Sequence, residues 1–237
     1  MLTAKPTSKK YQPKGLTILH EDKDVIVVEK PCGLLTMGTE RDKTRTAHTI
    51  LNDYVRKGDS RSRNRIYIVH RLDRDTSGIL VFAKNEAAKA FLQESWQETD
   101  KYYLTIVYGS ITPKEGVISS YLAENSAFTV YSSHDHSVGK LSQTEYTVLK
   151  EAKGFSLLHI HLLTGRKHQI RVHLAEKGHP VVGDKKYGKG NDAHGTLALH
   201  ARSLSFTHPV SRKRLTFVTG IPEFFTRLIG SIELPTS

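Results

Sequence analysis

The apolar residues of this chain fall in short β-branched runs, most of them with too little sequence between them for crossover helices. Residues 16–20 and 25–29 (LTILH and VIVVE) are separated only by the charged stretch Glu21-Asp22-Lys23-Asp24, which reads as a hairpin. Similar runs lie at 66–69, 79–83, 102–108, 143–149, 155–163 and 214–218. A parallel pair needs a connection of about a dozen residues or more, so most of these strands must pair antiparallel. Helical spacing is confined to three segments. Residues 46–57 carry Ala47, Ile50, Leu51, Tyr54 and Val55, with Thr46 or Thr49 as cap and Gly58 as stop. Residues 86–97 carry Ala87, Ala90, Phe91 and Trp96, and residues 168–177 end at Gly178 with Pro180 beyond. The expected class is α+β: a mixed, largely antiparallel bent sheet flanked by helices and loops, with a central active-site cleft. Residues 1–14 read as a flexible basic arm and residues 15–237 as a single domain. Residues 123–142 are the least patterned and read as a loop or hairpin over the cleft.

Composition narrows the function. No apolar run approaches the ~20 residues a membrane span needs, and the basic N-terminus lacks the apolar core of a secretory signal. The lone cysteine, Cys32, excludes an internal disulfide and a Cys-clustered zinc site; it reads as a small buried residue beside a turn. These features point to the cytoplasm, and the lack of a coiled coil or exposed apolar helix points to a monomer without an obligate protein partner. The net charge of +11 points to a polyanionic partner. The charge is clustered: Arg56, Lys57, Arg61, Arg63, Arg65, Arg71 and Arg74 form one group. Arg166, Lys167 and Arg171, then Lys185, Lys186 and Lys189, then Arg212, Lys213 and Arg214 form three more. Any one cluster alone is most simply a solvated face. The His-x-His pairs His134/His136 and His159/His161, and the nearby His168/His173, raise a metal site, but no third ligand is evident, so none is expected.

The chemistry is best placed in the polar loop His70-Arg71-Leu72-Asp73-Arg74-Asp75-Thr76-Ser77-Gly78, mounted between two apolar strands. Flanking guanidinium groups favour an ionised carboxylate at Asp73, suited to a nucleophile, a weak base or an electrostatic stabiliser. An ordinary surface ion pair or Asx turn would use the same residues, and Asp75 competes for the role.

The loop HRLDRDTSG resembles the signature of the RluA-type pseudouridine synthases. Four further blocks resemble that family in its order: ILHEDKDVIVVEKPCGLL (18–35), KYYLTIVYG (101–109), LLTGRKHQIRVHLAEKGHPVVGDKKYG (162–188) and LALHARSLSFTHP (197–209). The resemblance covers nearly the whole chain. It implies an isomerase that converts uridine in ribosomal and/or transfer RNA to pseudouridine in a base-flipping site, without cofactor or metal. It further implies that Asp73 is the catalytic carboxylate, that Tyr103 of Lys-x-Tyr lies against the flipped uracil, and that Arg171 pairs with Asp73. Arg71 is expected to enter the RNA stack, and His70, Arg74, Thr76, Arg166, His168 and Gln169 complete the expected substrate-binding set. Many relatives carry an S4-like RNA-binding domain before the catalytic region, and none is expected here. The competing classes are an aspartate-dependent RNA glycosidase or nuclease, and a non-catalytic RNA-binding module.

Overall fold

The computed structural model describes residues 13–38, 45–57, 59, 61–188 and 194–234. The expected N-terminal arm and Gly58 therefore lie almost wholly outside the described residues. The fold is α+β, with a large open mixed sheet and, among the described residues, four α-helices. The chain divides into two compact units: residues through Thr99 with Ser203–Thr219, and Asp100–Arg202 with the segment from Gly220.

The first unit opens with β1 (Thr17–Glu21), β2 (Val25–Lys30), α1 (Ala47–Arg56), β3 (Tyr67–Ile68), β4 (Ser77–Ala83) and α2 (Glu86–Glu94). β2 lies between β1 and β4 and pairs antiparallel with both. The register Val25↔Ala83 and Val27↔Val81 puts these side chains on one face, where α2 covers them with Ala88 and Leu92. In the phase expected from sequence, Ala87 and Ala90 face the core; both are exposed, and Ala88 and Leu92 are buried instead. Asn85 sets that phase: its side chain accepts from Ala88 N–H at 2.8 Å and starts the helix at Glu86, and the helix gives way at Ser95 to a 3-10 turn. In α1, the expected capping pair is one reciprocal box: Thr46 Oγ1 accepts from Thr49 N–H, and Thr49 Oγ1 accepts from Thr46 N–H. Lys57, in the left-handed region, closes the helix. Cys32 is exposed, not buried. Its turn directs main-chain carbonyls inward to Lys30, so the side chains project into solvent.

The second unit contains β5 (Asp100–Tyr108), β6 (Glu115–Glu124), β7 (Val130–Ser133), β8 (Lys140–Ala152), β9 (Phe155–Leu162), α3 (Gln169–Glu176) and α4 (Glu223–Ile229). β10 (Leu199–Thr207) starts here and continues into the first unit, where β11 (Arg214–Val218) pairs with it. The order β5-β9-β8-β6-β7 is antiparallel throughout. Residues 123–142 thus contribute a hairpin, with β7 added to β6 across the turn from Asn125 to Thr129. The core of this unit gathers Leu104, Ile106, Leu158, Ile160, Ile170 and Leu174 with Phe225 of α4.

His173 is fully buried in this unit, with Nδ1 2.9 Å from Thr144 Oγ1 and Nε2 3.0 Å from Ser120 Oγ. Burial pushes its pKa down to about 4, against the opposing charge of Glu176. A base whose folded pKa is depressed gives stability that is complete above its unfolded pKa of ~6.5 and is lost as pH falls toward the folded value. Between pH ~7 and ~5 His173 should therefore cost the fold about 2 kcal/mol. Urea unfolding of the parent and His173→Gln at both pH values measures this; an equal parent–variant difference at both would contradict it.

Candidate active site

The loop after β3 is fixed by its main chain. Thr36 Oγ1 donates to the carbonyl of Leu72 (2.7 Å) and accepts from Leu72 N–H (3.1 Å). On the other side of Asp73, the Arg74 carbonyl accepts from Lys30 Nζ (3.0 Å) and from Gly33 N–H (3.0 Å). Thr76, buried, closes the turn by donating its N–H to the Asp73 carbonyl at 3.3 Å. His70 Nε2 accepts from Val81 N–H at 3.1 Å, and its ring stacks on Trp96 at 4.3 Å. Asp73 is half-buried, while Arg71, Arg74 and Asp75 are exposed. A carboxylate whose neighbours on both sides are anchored in this way is held in place by the fold itself.

Lys30 is the unexpected anchor. Its side chain is 0% exposed and its ammonium donates to the carbonyls of Pro31 (2.9 Å), Leu34 (2.8 Å) and Arg74 (3.0 Å). Burial pushes its pKa down to about 8, while the negative charges of Cys32, Asp75 and Asp73 pull it upward. That displacement amounts to about 3 kcal/mol of penalty on the charged form. Lys30→Met would relieve the penalty but strand the Pro31 and Leu34 carbonyls, at roughly 1–3 kcal/mol each when buried, while the Arg74 carbonyl keeps the Gly33 N–H. The opposing effects largely offset, so turnover should fall at least about tenfold while the melting temperature moves only a few degrees. Activity and thermal melts on one preparation check this, and unchanged turnover would count against Lys30 as an anchor.

In the second unit, Tyr103 on β5 is half-buried, opposite Ile160 of β9, and packs on the core. Tyr102 lies on the other face and stacks on both His159 (5.1 Å) and His161 (4.5 Å), so that His-x-His pair is part of an aromatic stack. Arg171 on α3 is held by a residue the sequence reading missed. Its Nε and Nη2 donate to Asp184 Oδ2 (2.7 Å) and Oδ1 (2.8 Å), in a bidentate pair whose side chains are 9% and 0% exposed. Asp184 Oδ1 also accepts from the N–H groups of Lys186 (2.9 Å) and Tyr187 (3.0 Å). Burial raises the Asp184 pKa, but the Arg171 pair and these N–H donors outweigh it and hold the carboxyl below the usual range. Gly183 makes the placement possible: at φ +79°, a Cβ there would lie 1.9 Å from the Thr196 carbonyl oxygen. The available signal was a lone carboxylate ending the apolar run Pro180-Val181-Val182-Gly183.

Around this pair, the Tyr187 ring lies 5.2 Å from the Arg171 guanidinium, and its hydroxyl accepts from Val130 N–H and sits 2.7 Å from His168 Nδ1. His168 caps α3 in the left-handed region, and Arg166 is exposed. Gln169, expected to bind substrate, donates to the Gln143 carbonyl and Thr144 Oγ1 and accepts from Thr164 Oγ1 and Arg166 N–H. All four of its hydrogen-bonding positions are thereby used, so its work is to hold the segment before α3.

Among the described residues, one group of possible metal ligands comes together: Asp22, Asp24 and His208, within 4.8 Å of one another. His208 Nδ1 accepts from the N–H groups of Val210 and Ser211, which places the ring proton on Nε2, 3.0 Å from Asp22 Oδ2. His20 Nε2 meets the same oxygen at 2.9 Å, and Asp22 Oδ1 takes the N–H groups of Asp24 and Val25. Burial raises the Asp22 pKa, but these donors bring it down to about 2. Asp24 is tied to Asn85 through Oδ1, and its Oδ2 is buried with no hydrogen-bond partner among the described residues. The arrangement ties the β1–β2 turn to the segment after β10 by hydrogen bonds.

Comparison with known proteins decides the family. Residues 24–176 match the family model for RNA pseudouridylate synthases. The chain belongs to the RNA pseudouridylate synthase family. Its members are isomerases. An uncharacterized RNA pseudouridine synthase of Mycoplasma genitalium is 36% identical over 222 residues, spanning 90% of this chain and 69% of the relative. The ribosomal large subunit pseudouridine synthase D of Nitrosomonas europaea is 35% identical over 235 residues, 94% of this chain and 67% of that one. Among solved structures, human RNA pseudouridylate synthase domain containing 4 superposes with a TM-score of 0.73 at 25% identity, covering 89% of this chain and 90% of that one. Human RNA pseudouridylate synthase domain containing 1 gives 0.70 at 28% identity, covering 92% and 86%. Among the described residues, no helix is long and apolar enough to cross a membrane.

Proposed function

We propose that this isomerase converts uridine in ribosomal or transfer RNA to pseudouridine in the cytoplasm, with Asp73 as the catalytic carboxylate. The observation that carries the reading is the loop itself: Thr36 grips the residue before Asp73, Lys30 and Gly33 grip the residue after it, and two exposed arginines flank it. The N1–C1′ bond breaks, the uracil turns, and C5 bonds to C1′ before its proton leaves. Atoms and electrons balance within the nucleoside, so no cofactor is called for. Whether the carboxylate attacks C1′, adds to C6 or takes a ribose proton, each route needs it ionised.

Arg71 is proposed to fill the stack where the uridine leaves, offsetting an unstacking cost of a few kcal/mol. Tyr103 is proposed to lie against the extruded base and help move the C5 proton, and Arg171 to steady the Asp73 carboxylate alongside its pair with Asp184. The name of the Nitrosomonas relative makes large-subunit ribosomal RNA the first target to test. The test treats unmodified ribosomal and transfer RNA with the protein, then with carbodiimide and alkali. RNA of unchanged length carrying alkali-stable adducts supports isomerisation. Shortened chains or released uracil would favour the hydrolytic alternative.

A further inference from the structure

A cleft of ≈ 510 Å³ lies within the first unit, lined by Glu21, Lys23, Lys57, Asn64, Arg65 and Lys84 together with Tyr54 and Val55. Its one carboxylate is already committed: Glu21 accepts from Lys84 Nζ at 2.7 Å and from the Tyr54 hydroxyl at 2.7 Å. Lys84 is committed in turn, donating also to the Asp22 carbonyl at 2.5 Å. Lys23, Lys57 and Arg65 are exposed, and none of them forms an ion pair among the described residues. Three uncompensated cations around one concavity repel one another and gain most from a ligand carrying several negative charges. The cleft is remote from the Asp73 loop. That loop leads into Ser77 at the start of β4, and Lys84 follows Ala83 at its end, a strand of roughly 20 Å.

We propose that this cleft holds backbone phosphates of the substrate RNA, away from the uridine being isomerised. The proposal rests on the reading of the chain as an RNA isomerase and adds a docking point to it. Phosphate contacts of this kind set affinity and register without reading sequence. Their loss should act on substrate capture and leave the chemical step alone.

The experiment compares the parent with Lys23→Gln/Lys57→Gln/Arg65→Gln on ribosomal and transfer RNA, by filter binding across a salt series and by the carbodiimide assay. All three positions are exposed, so the variant should fold, which its circular dichroism and melting temperature verify. KM should rise about tenfold with kcat unchanged, and the slope of log affinity against log salt should become shallower by about 2, near 0.7 per lost contact. Unchanged KM and slope, or a fall in kcat at constant KM, would overturn the proposal. So would inorganic phosphate raising the melting temperature of the parent alone while both proteins bind RNA equally, which marks a small-anion pocket. If the parent binds RNA but forms no pseudouridine, the functional reading falls, and the salt slopes still decide the cleft.

Discussion

An Asp73→Asn variant should fold and bind RNA as the parent does, yet form pseudouridine at less than about one-thousandth of the parent rate. The main chain on either side is held by contacts that do not involve the carboxylate: Thr36 to Leu72, and Lys30 and Gly33 to Arg74. Asparagine keeps the size and planarity of the side chain and removes only the charge. A loss of turnover with intact affinity therefore isolates the anion as the reacting group, and alanine would test the same point less cleanly. Adduct counting on a defined RNA, with affinity measured in parallel, reads both quantities. Substantial turnover in the Asn variant would remove Asp73 from the chemistry and turn attention to Asp75.

Arg171→Ala should destabilise the fold by about 3–5 kcal/mol, whatever it does to turnover. The reason is Asp184, whose side chain is 0% exposed and takes two of its four hydrogen bonds from this guanidinium. Truncating the arginine leaves a buried carboxylate with only two main-chain donors. Arg171→Lys keeps the charge but not the fork, and should fall between parent and alanine. Urea unfolding of the three proteins orders them, and a loss under ~1 kcal/mol for alanine would show that the pair is dispensable. The pH dependence has a definite sign. Because the Asp184 pKa is depressed in the fold, its contribution is present above the ordinary carboxylate range and is lost on acidification. Turnover of Arg171→Ala must be compared at a temperature where the variant is still folded.

Part of the local structure was legible because its signals are close together in sequence. Asp73 with its arginines, the hairpin at Glu21–Asp24 and the Thr46/Thr49 cap depend on residues a few positions apart. The phase of α2 was not legible: Ala87, Ala88 and Ala90 are equally apolar, and the Asn85 cap decides which of them faces the sheet. Cys32 misled for a related reason, since a small apolar residue is usually buried and only the inward pull of Lys30 on neighbouring carbonyls turns that loop outward. Gln169 was read as a substrate contact because it sits in a functional motif, but a buried amide must first satisfy its own donors and acceptors.

Most strand positions and the antiparallel pairing of β1 with β2 and of β8 with β9 followed from the order of residues alone, because turn propensity and side-chain alternation act over two to five positions; β6 and β10 did not, and the proposed reactive loop was picked out by its resemblance to a family signature. The grip on the Asp73 loop and, separately, the hold on Arg171 were decided only in three dimensions. Lys30 reaches Arg74 across 44 residues, Thr36 reaches Leu72 across 36, and Arg171 reaches Asp184 across 13. Nothing in a linear chain marks such partners. Each contact exists because burial leaves a polar atom no water to turn to, and which atoms are buried together is settled by how the strands pack.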